Sequence, residues 1–121
     1  MARFKAGDIV IVDWRGGASP KEPNRLRPAI VVEDDELFDP GYPNVLVVPL
    51  TSDPLLAIPG LAVTIEPTRE NGCERRCFAL APSVTSVSIK RMRATASRIQ
   101  VGQLAEIRLR IADAVGIGLP S

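Results

Sequence analysis

The chain contains no histidine, so the side chain that most often moves protons near neutral pH is missing. Cys73 and Cys77 are its only cysteines, too few for a structural zinc site without histidine. No glycine-rich phosphate loop and no nucleophile elbow is present. Any catalysis must therefore use Arg, Lys, Glu, Asp, Ser or Thr. That set suits cleavage of a phosphodiester by its own neighbouring 2′-hydroxyl, because the nucleophile then belongs to the substrate. The protein has only to align it, move protons and stabilise charge on a phosphorane-like transition state. A guanidinium fork matches phosphate oxygens well.

Two places can supply such groups. Glu22, Arg25 and Arg27 close a polar segment immediately before an apolar run, and Thr51-Ser52 follows another. If the two runs are strands of one sheet with compatible directions, Arg27 and Thr51 converge at one rim. On local chemistry alone both have plainer readings, since an arginine before a strand is usually solvated and Thr-Ser-Asp-Pro is a common turn.

The elements that must position these residues are mostly strands. Residues 8–14 form a dense β-branched run after Gly7 and predict the first strand. Residues 15–27, with two glycines and two prolines among charges, predict an exposed loop. Residues 28–33 predict a second strand opening on proline. Residues 45–50 are continuously apolar, as expected of a strand buried on both faces. A surface loop at 54–60, strands at 61–65 and 76–81, and a sixth at 93–99 follow. From Gln103, apolar residues at Leu104, Ile107, Ile111, Ala114 and Val115 have helical spacing, with Gly116 as the stop. The pattern predicts one domain over residues 1–121: mainly β, a small, strongly bent antiparallel barrel with a C-terminal helix against it.

Composition agrees. Among 121 residues, 45% are apolar and only 4% aromatic, so the core must be built from Val, Ile, Leu and Ala. The net charge of +1 hides an asymmetry. Residues 1–68 carry six Lys/Arg against ten Asp/Glu, and residues 69–121 nine against four. A basic half can hold a polyanion, and the acidic run at 33–36 would repel one nearby; solvated faces on a near-neutral protein are the plainer alternative. The polar N-terminus and the lack of a long apolar run predict no membrane span, a cytoplasmic location and reduced cysteines.

Three motifs occur in order: Gly7-Asp-Ile-Val-Ile-Val-Asp13, Arg27-Pro-Ala-Ile-Val-Val32, and Val48-Pro-Leu-Thr-Ser52. Together with the Gly-Ile-Gly-Leu ending at Gly116–Leu119, they resemble the MazF/PemK toxins over essentially the whole chain. The resemblance implies an SH3-like, PemK-like barrel that pairs as a homodimer. It implies a metal-independent endoribonuclease of a type II toxin–antitoxin system, needing no cofactor. Such an enzyme cuts single-stranded mRNA to leave 2′,3′-cyclic phosphate and 5′-hydroxyl ends, and an acidic, partly disordered cognate antitoxin inhibits it. By position, Arg27 matches the family's general acid and phosphate ligand. Thr51 matches the residue that helps to hold the scissile phosphate, and Glu22 a base or orienting group. Lys21, Arg25 and Ser52 are the expected RNA contacts.

The chain also departs from the family pattern. Lys21 stands where many members have serine, and Pro82-Ser-Val-Thr85 replaces the usual polar motif after the fifth strand, with Lys90, Arg91 and Arg93 close behind. Trp14 is expected to pack at a strand end, with base stacking as the less common use. Two alternatives share the fold: a CcdB-like gyrase poison, whose aromatic C-terminal end is not matched by Gly118-Leu-Pro-Ser121, and a non-catalytic nucleic-acid-binding barrel.

Overall fold

In the computed structural model, residues 4–14 and 26–117 are described. Seven strands and one helix follow in order: β1 (Asp8–Asp13), β2 (Leu26–Val31), β3 (Asn44–Thr51), β4 (Ala62–Ile65), β5 (Cys77–Leu80), β6 (Thr85–Ser88), β7 (Met92–Arg98) and α1 (Val101–Ala114). All pairings are antiparallel, in the order β4-β5-β3-β2-β1-β7. β6 adds a second partner to β3. The sheet coils without closing, since β4 and β7 remain its two ends. The architecture is thus the mainly β fold with a terminal helix that the sequence predicts.

Three differences from the pattern matter for the site and its frame. β2 begins two residues early, at Leu26, so Pro28 lies inside it. The helix begins at Val101, with the Gln100 N–H donating to Gln103 Oε1 at 3.0 Å. β6 was not expected, because Thr85-Ser-Val-Ser88 is polar and buries only Val87. Its surroundings explain it: β5 and β6 run along the same edge of β3, separated by a 3₁₀ turn at Ala81–Ser83.

Strand alternation builds two cores on the two faces of the central strands. One is a valine core of Val10, Val12, Ala29, Val31, Val45, Val47, Val87 and Met92. On the other face, Ile30, Val48, Leu50, Val63 and Ile65 meet Leu104 and Ile107 of α1. β3 feeds both cores, as its continuous apolar sequence predicts. Each fully buried aliphatic side chain is worth roughly 1.5–3 kcal/mol relative to exposure. The helical stripe is shorter than its spacing suggests, because Val115 is 62% exposed. Gly116 then ends the helix with φ +86°, a left-handed conformation that favours glycine. Its N–H and that of Ile117 return to Asp113 and Ala112 carbonyls.

Cys73 and Cys77 are free thiols, both half-buried against the helix-side core. Burial and the neighbouring Cys77 push the Cys73 thiol up to about 11. Among the described residues, no helix is long and apolar enough to cross a membrane.

Candidate active site

β2 and β3 pair as Ala29↔Pro49, Ile30↔Val48 and Val31↔Val47. The same register carried two residues further sets Arg27 opposite Thr51. On its other side Arg27 pairs with Val12, and Val12 pairs with Met92. Arg27 and Thr51 therefore occupy one transverse row near the end of the sheet, on the face that carries the valine core.

There they line a cavity of about 220 Å³ with Trp14, Pro49, Leu56 and Leu80. Arg27 is the only charged residue among the described residues of this lining. Arg27 is exposed and Thr51 half-buried, so the cationic group faces solvent above apolar walls. An apolar wall lowers the local dielectric and strengthens attraction between a guanidinium and a bound anion.

The Thr51 hydroxyl is held by a local turn. Its Oγ1 accepts the Asp53 N–H at 3.1 Å, and Asp53 Oδ1 accepts the Leu55 N–H at 2.9 Å. Accepting through one lone pair leaves the O–H hydrogen available as a donor. The turn also starts the 3₁₀ segment Pro54–Leu56, which brings Leu56 to the cavity.

Pro49 forms part of the floor, and its place in a central strand requires explanation, because proline removes a ladder donor. The Leu46 carbonyl accepts the Val32 N–H at 3.0 Å, so even-numbered positions of β3 address β2. The Pro43 carbonyl accepts the Ile89 N–H at 2.9 Å, so odd-numbered positions address the opposite edge. Carried one residue further, the register Leu50↔Ala79 sets Pro49 opposite Leu80, the last residue of β5, and pairing with β6 begins at Val47. The absent donor thus falls at the end of one ladder, outside the pairing with β2.

Trp14 packs against the valine core as a strand-end aromatic and also reaches the cavity wall. Ser52 is exposed and is not part of the described lining. Glu22, Lys21 and Arg25 lie outside the described residues. The lining residues Pro49, Leu56 and Leu80 were missed as site residues because apolar side chains in or near strands read as core. Strand alternation could have flagged Pro49, which shares a face with Thr51.

The opposite end of β2 is fastened by polar groups. Glu33 is 4% exposed, and its Oε1 accepts the Leu46 N–H at 3.1 Å. Arg108 of α1 donates to the Val32 carbonyl at 3.0 Å and the Glu33 carbonyl at 2.8 Å. Asp35 Oδ1 accepts the Ala6 N–H at 2.7 Å, and Asp34 Oδ1 accepts the Glu36 N–H at 2.8 Å. The acidic run is structural: three of its four carboxylates hold backbone donors.

The fold, a coiled sheet with a terminal helix, is shared with solved toxin structures. An endoribonuclease in complex with its cognate antitoxin, from a mycobacterial species, superposes with TM-score 0.67 at 14% identity, over 95% of this chain and 97% of that one. The MazE–MazF complex from Deinococcus radiodurans gives TM-score 0.68 at 22% identity, over 93% and 95%. The toxin MazF-mt6 from Mycobacterium tuberculosis gives 0.66 at 17%, over 93% and 99%. No curated protein matches the sequence significantly. The family model for the PemK-like, MazF-like toxin of type II toxin–antitoxin systems matches residues 5–115, and the chain belongs to that family.

Proposed function

We propose that the chain, acting over residues 1–121 as one domain, is a metal-independent endoribonuclease that cuts single-stranded mRNA. The observation that carries this reading is the convergence of Arg27 and Thr51 on one cavity. In the reaction, the Glu22 carboxylate takes the 2′-hydroxyl proton and O2′ attacks phosphorus. Arg27 and Thr51 hold the non-bridging oxygens as charge builds on them. The P–O5′ bond breaks, and O5′ receives a proton through Arg27. The products are a 2′,3′-cyclic phosphate and a 5′-hydroxyl. Lys21, Arg25 and Ser52 contact the RNA on either side.

The active form is a homodimer, because two-fold pairing is the commonest way for a small barrel to gain a groove. The inhibitor is an acidic, partly disordered antitoxin segment that covers Arg27, and its charge complements a groove shaped for phosphates. The structural neighbours with bound antitoxin support this partner. The test is incubation of the purified protein with single-stranded RNA in excess EDTA, with the product ends mapped. Cleavage leaving 5′-hydroxyl ends is expected. Intact RNA, or cleavage that requires added metal, would overturn the reading.

A further inference from the structure

From residue 75 to residue 105 the chain carries six Lys or Arg and no carboxylate side chain. Four other arginines are engaged by groups of the chain itself. Arg76 pairs with Glu66, Arg98 with Asp8, Arg110 with Asp113, and Arg108 holds two carbonyls. Arg75, Lys90, Arg91 and Arg93 are exposed, and their side chains make no hydrogen bond or ion pair with another described residue. Of these four, Lys90 and Arg91 stand on the turn that leads into β7 beside the Trp14 end of β1.

Their backbone is nevertheless fixed. They belong to a 3₁₀ turn, Ile89–Arg91, in which Ser88 Oγ accepts the Lys90 N–H at 3.3 Å. The Met92 N–H closes the turn on the Ile89 carbonyl, and Ile89 packs on the valine core. Met92 pairs with Val12, two residues before Trp14. The turn therefore meets β1 at the end from which Trp14 reaches the cavity. Met92, Val12, Arg27 and Thr51 form one row across four strands, roughly 15 Å long at about 4.8 Å per strand. Val12 and Met92 are buried in the valine core, so the row is a measure of distance and not a binding surface: it sets the turn a few nucleotides' length from Thr51.

We infer that Lys90 and Arg91 form a second phosphate-binding position, which holds the RNA backbone on the Trp14 side of the scissile group. The inference rests on the ribonuclease reading. It assigns these residues to substrate affinity and leaves bond breaking to the Arg27 cavity. Two adjacent charges on a turn fixed next to the Trp14 end of β1 extend the cationic surface beyond Arg27. Phosphate neutralisation by such residues releases counterions, so it is written in the salt dependence of binding, with a slope of about 0.7 per contact for single strands.

The test compares the Lys90→Ala/Arg91→Ala double variant with wild type in the full chain. The probe is a single-stranded oligoribonucleotide carrying 2′-deoxyribose at the cut site, followed by fluorescence anisotropy across a salt series. The variant is expected to bind on the order of tenfold more weakly at low salt and to lose roughly 1.4 from the salt slope. On cleavable RNA its KM should rise with kcat unchanged. Lys90→Arg/Arg91→Lys should restore both readouts. A Lys5→Ala/Arg69→Ala double variant removes the same net charge from exposed positions away from the Trp14 end of β1, and should leave the slope near wild type. Equal losses from both double variants would overturn the inference in favour of overall charge. An unchanged slope in Lys90→Ala/Arg91→Ala would overturn it too, as would weakened binding to polyglutamate with RNA affinity intact. Failure of the ribonuclease reading looks different: wild-type protein would then cut no RNA at all in EDTA.

Discussion

Arg27 and Glu33, six residues apart, mark the two ends of β2, and these are built in opposite ways. At the far end, Glu33, Asp35 and Arg108 satisfy backbone groups of other segments, so charge there serves as a fastener. At the near end, Arg27 stands exposed over an apolar cavity beside Thr51. The difference teaches that residue type does not distinguish structural from chemical charge. What distinguishes them is the setting: fixed on backbone groups at one end, exposed at the mouth of a cavity at the other.

Substitutions at the two ends should therefore separate activity from stability. Arg27→Ala has the largest expected effect: turnover on RNA falls by a factor corresponding to about 3–4 kcal/mol of transition-state stabilisation. Its melting temperature should stay near wild type, because the side chain is exposed. Near-normal cleavage by the purified variant would remove Arg27 from the chemistry. Glu33→Ala is the converse. It leaves the Leu46 N–H without its acceptor in a buried place, at a cost of roughly 1–3 kcal/mol. Denaturant titration should show that loss, while kcat per folded molecule holds; a parallel fall in kcat would mean that the two ends are coupled.

The smallest effect is expected at Thr51. Thr51→Val fits the strand and the half-buried site but cannot donate to a phosphate oxygen, and turnover should fall about tenfold, equivalent to ~1.4 kcal/mol. Thr51→Ser keeps the hydroxyl and should recover most of that activity. If both variants are equally impaired, Thr51 acts through the Asp53 turn alone.

Much of this contrast was legible in the sequence, and the part that was not has a physical cause. β1, β3 and α1 announce themselves because their apolar periodicities are strong. Arg27 and Thr51 could be brought together on paper because antiparallel neighbours place one strand's entry beside the other's exit. By composition the acidic run predicts a solvated or RNA-repelling surface, whereas Glu33 is buried. Nothing local marks a glutamate whose acceptor role depends on a strand thirteen residues away. β6 escaped for a similar reason: its pairing is dictated by the exposed edge of β3, not by Thr85-Ser-Val-Ser88 itself. By helical spacing Arg108 lies off the apolar stripe, and only the packing of α1 reveals its two carbonyl partners.

Pro49 has a consequence for folding fidelity. A slip of β3 by one residue against β2 would turn the strand over and move Thr51 to the wrong face. It would also turn the ring nitrogen of Pro49 toward β2, where a donor is required along an unbroken ladder. A slip by two residues keeps the faces but carries Thr51 about 7 Å along the strand, away from Arg27. The proline thus acts as an alignment key. It is silent in the native pairing with β2 and obstructive in the one-residue slip, so a third residue helps to hold in step the two that must meet.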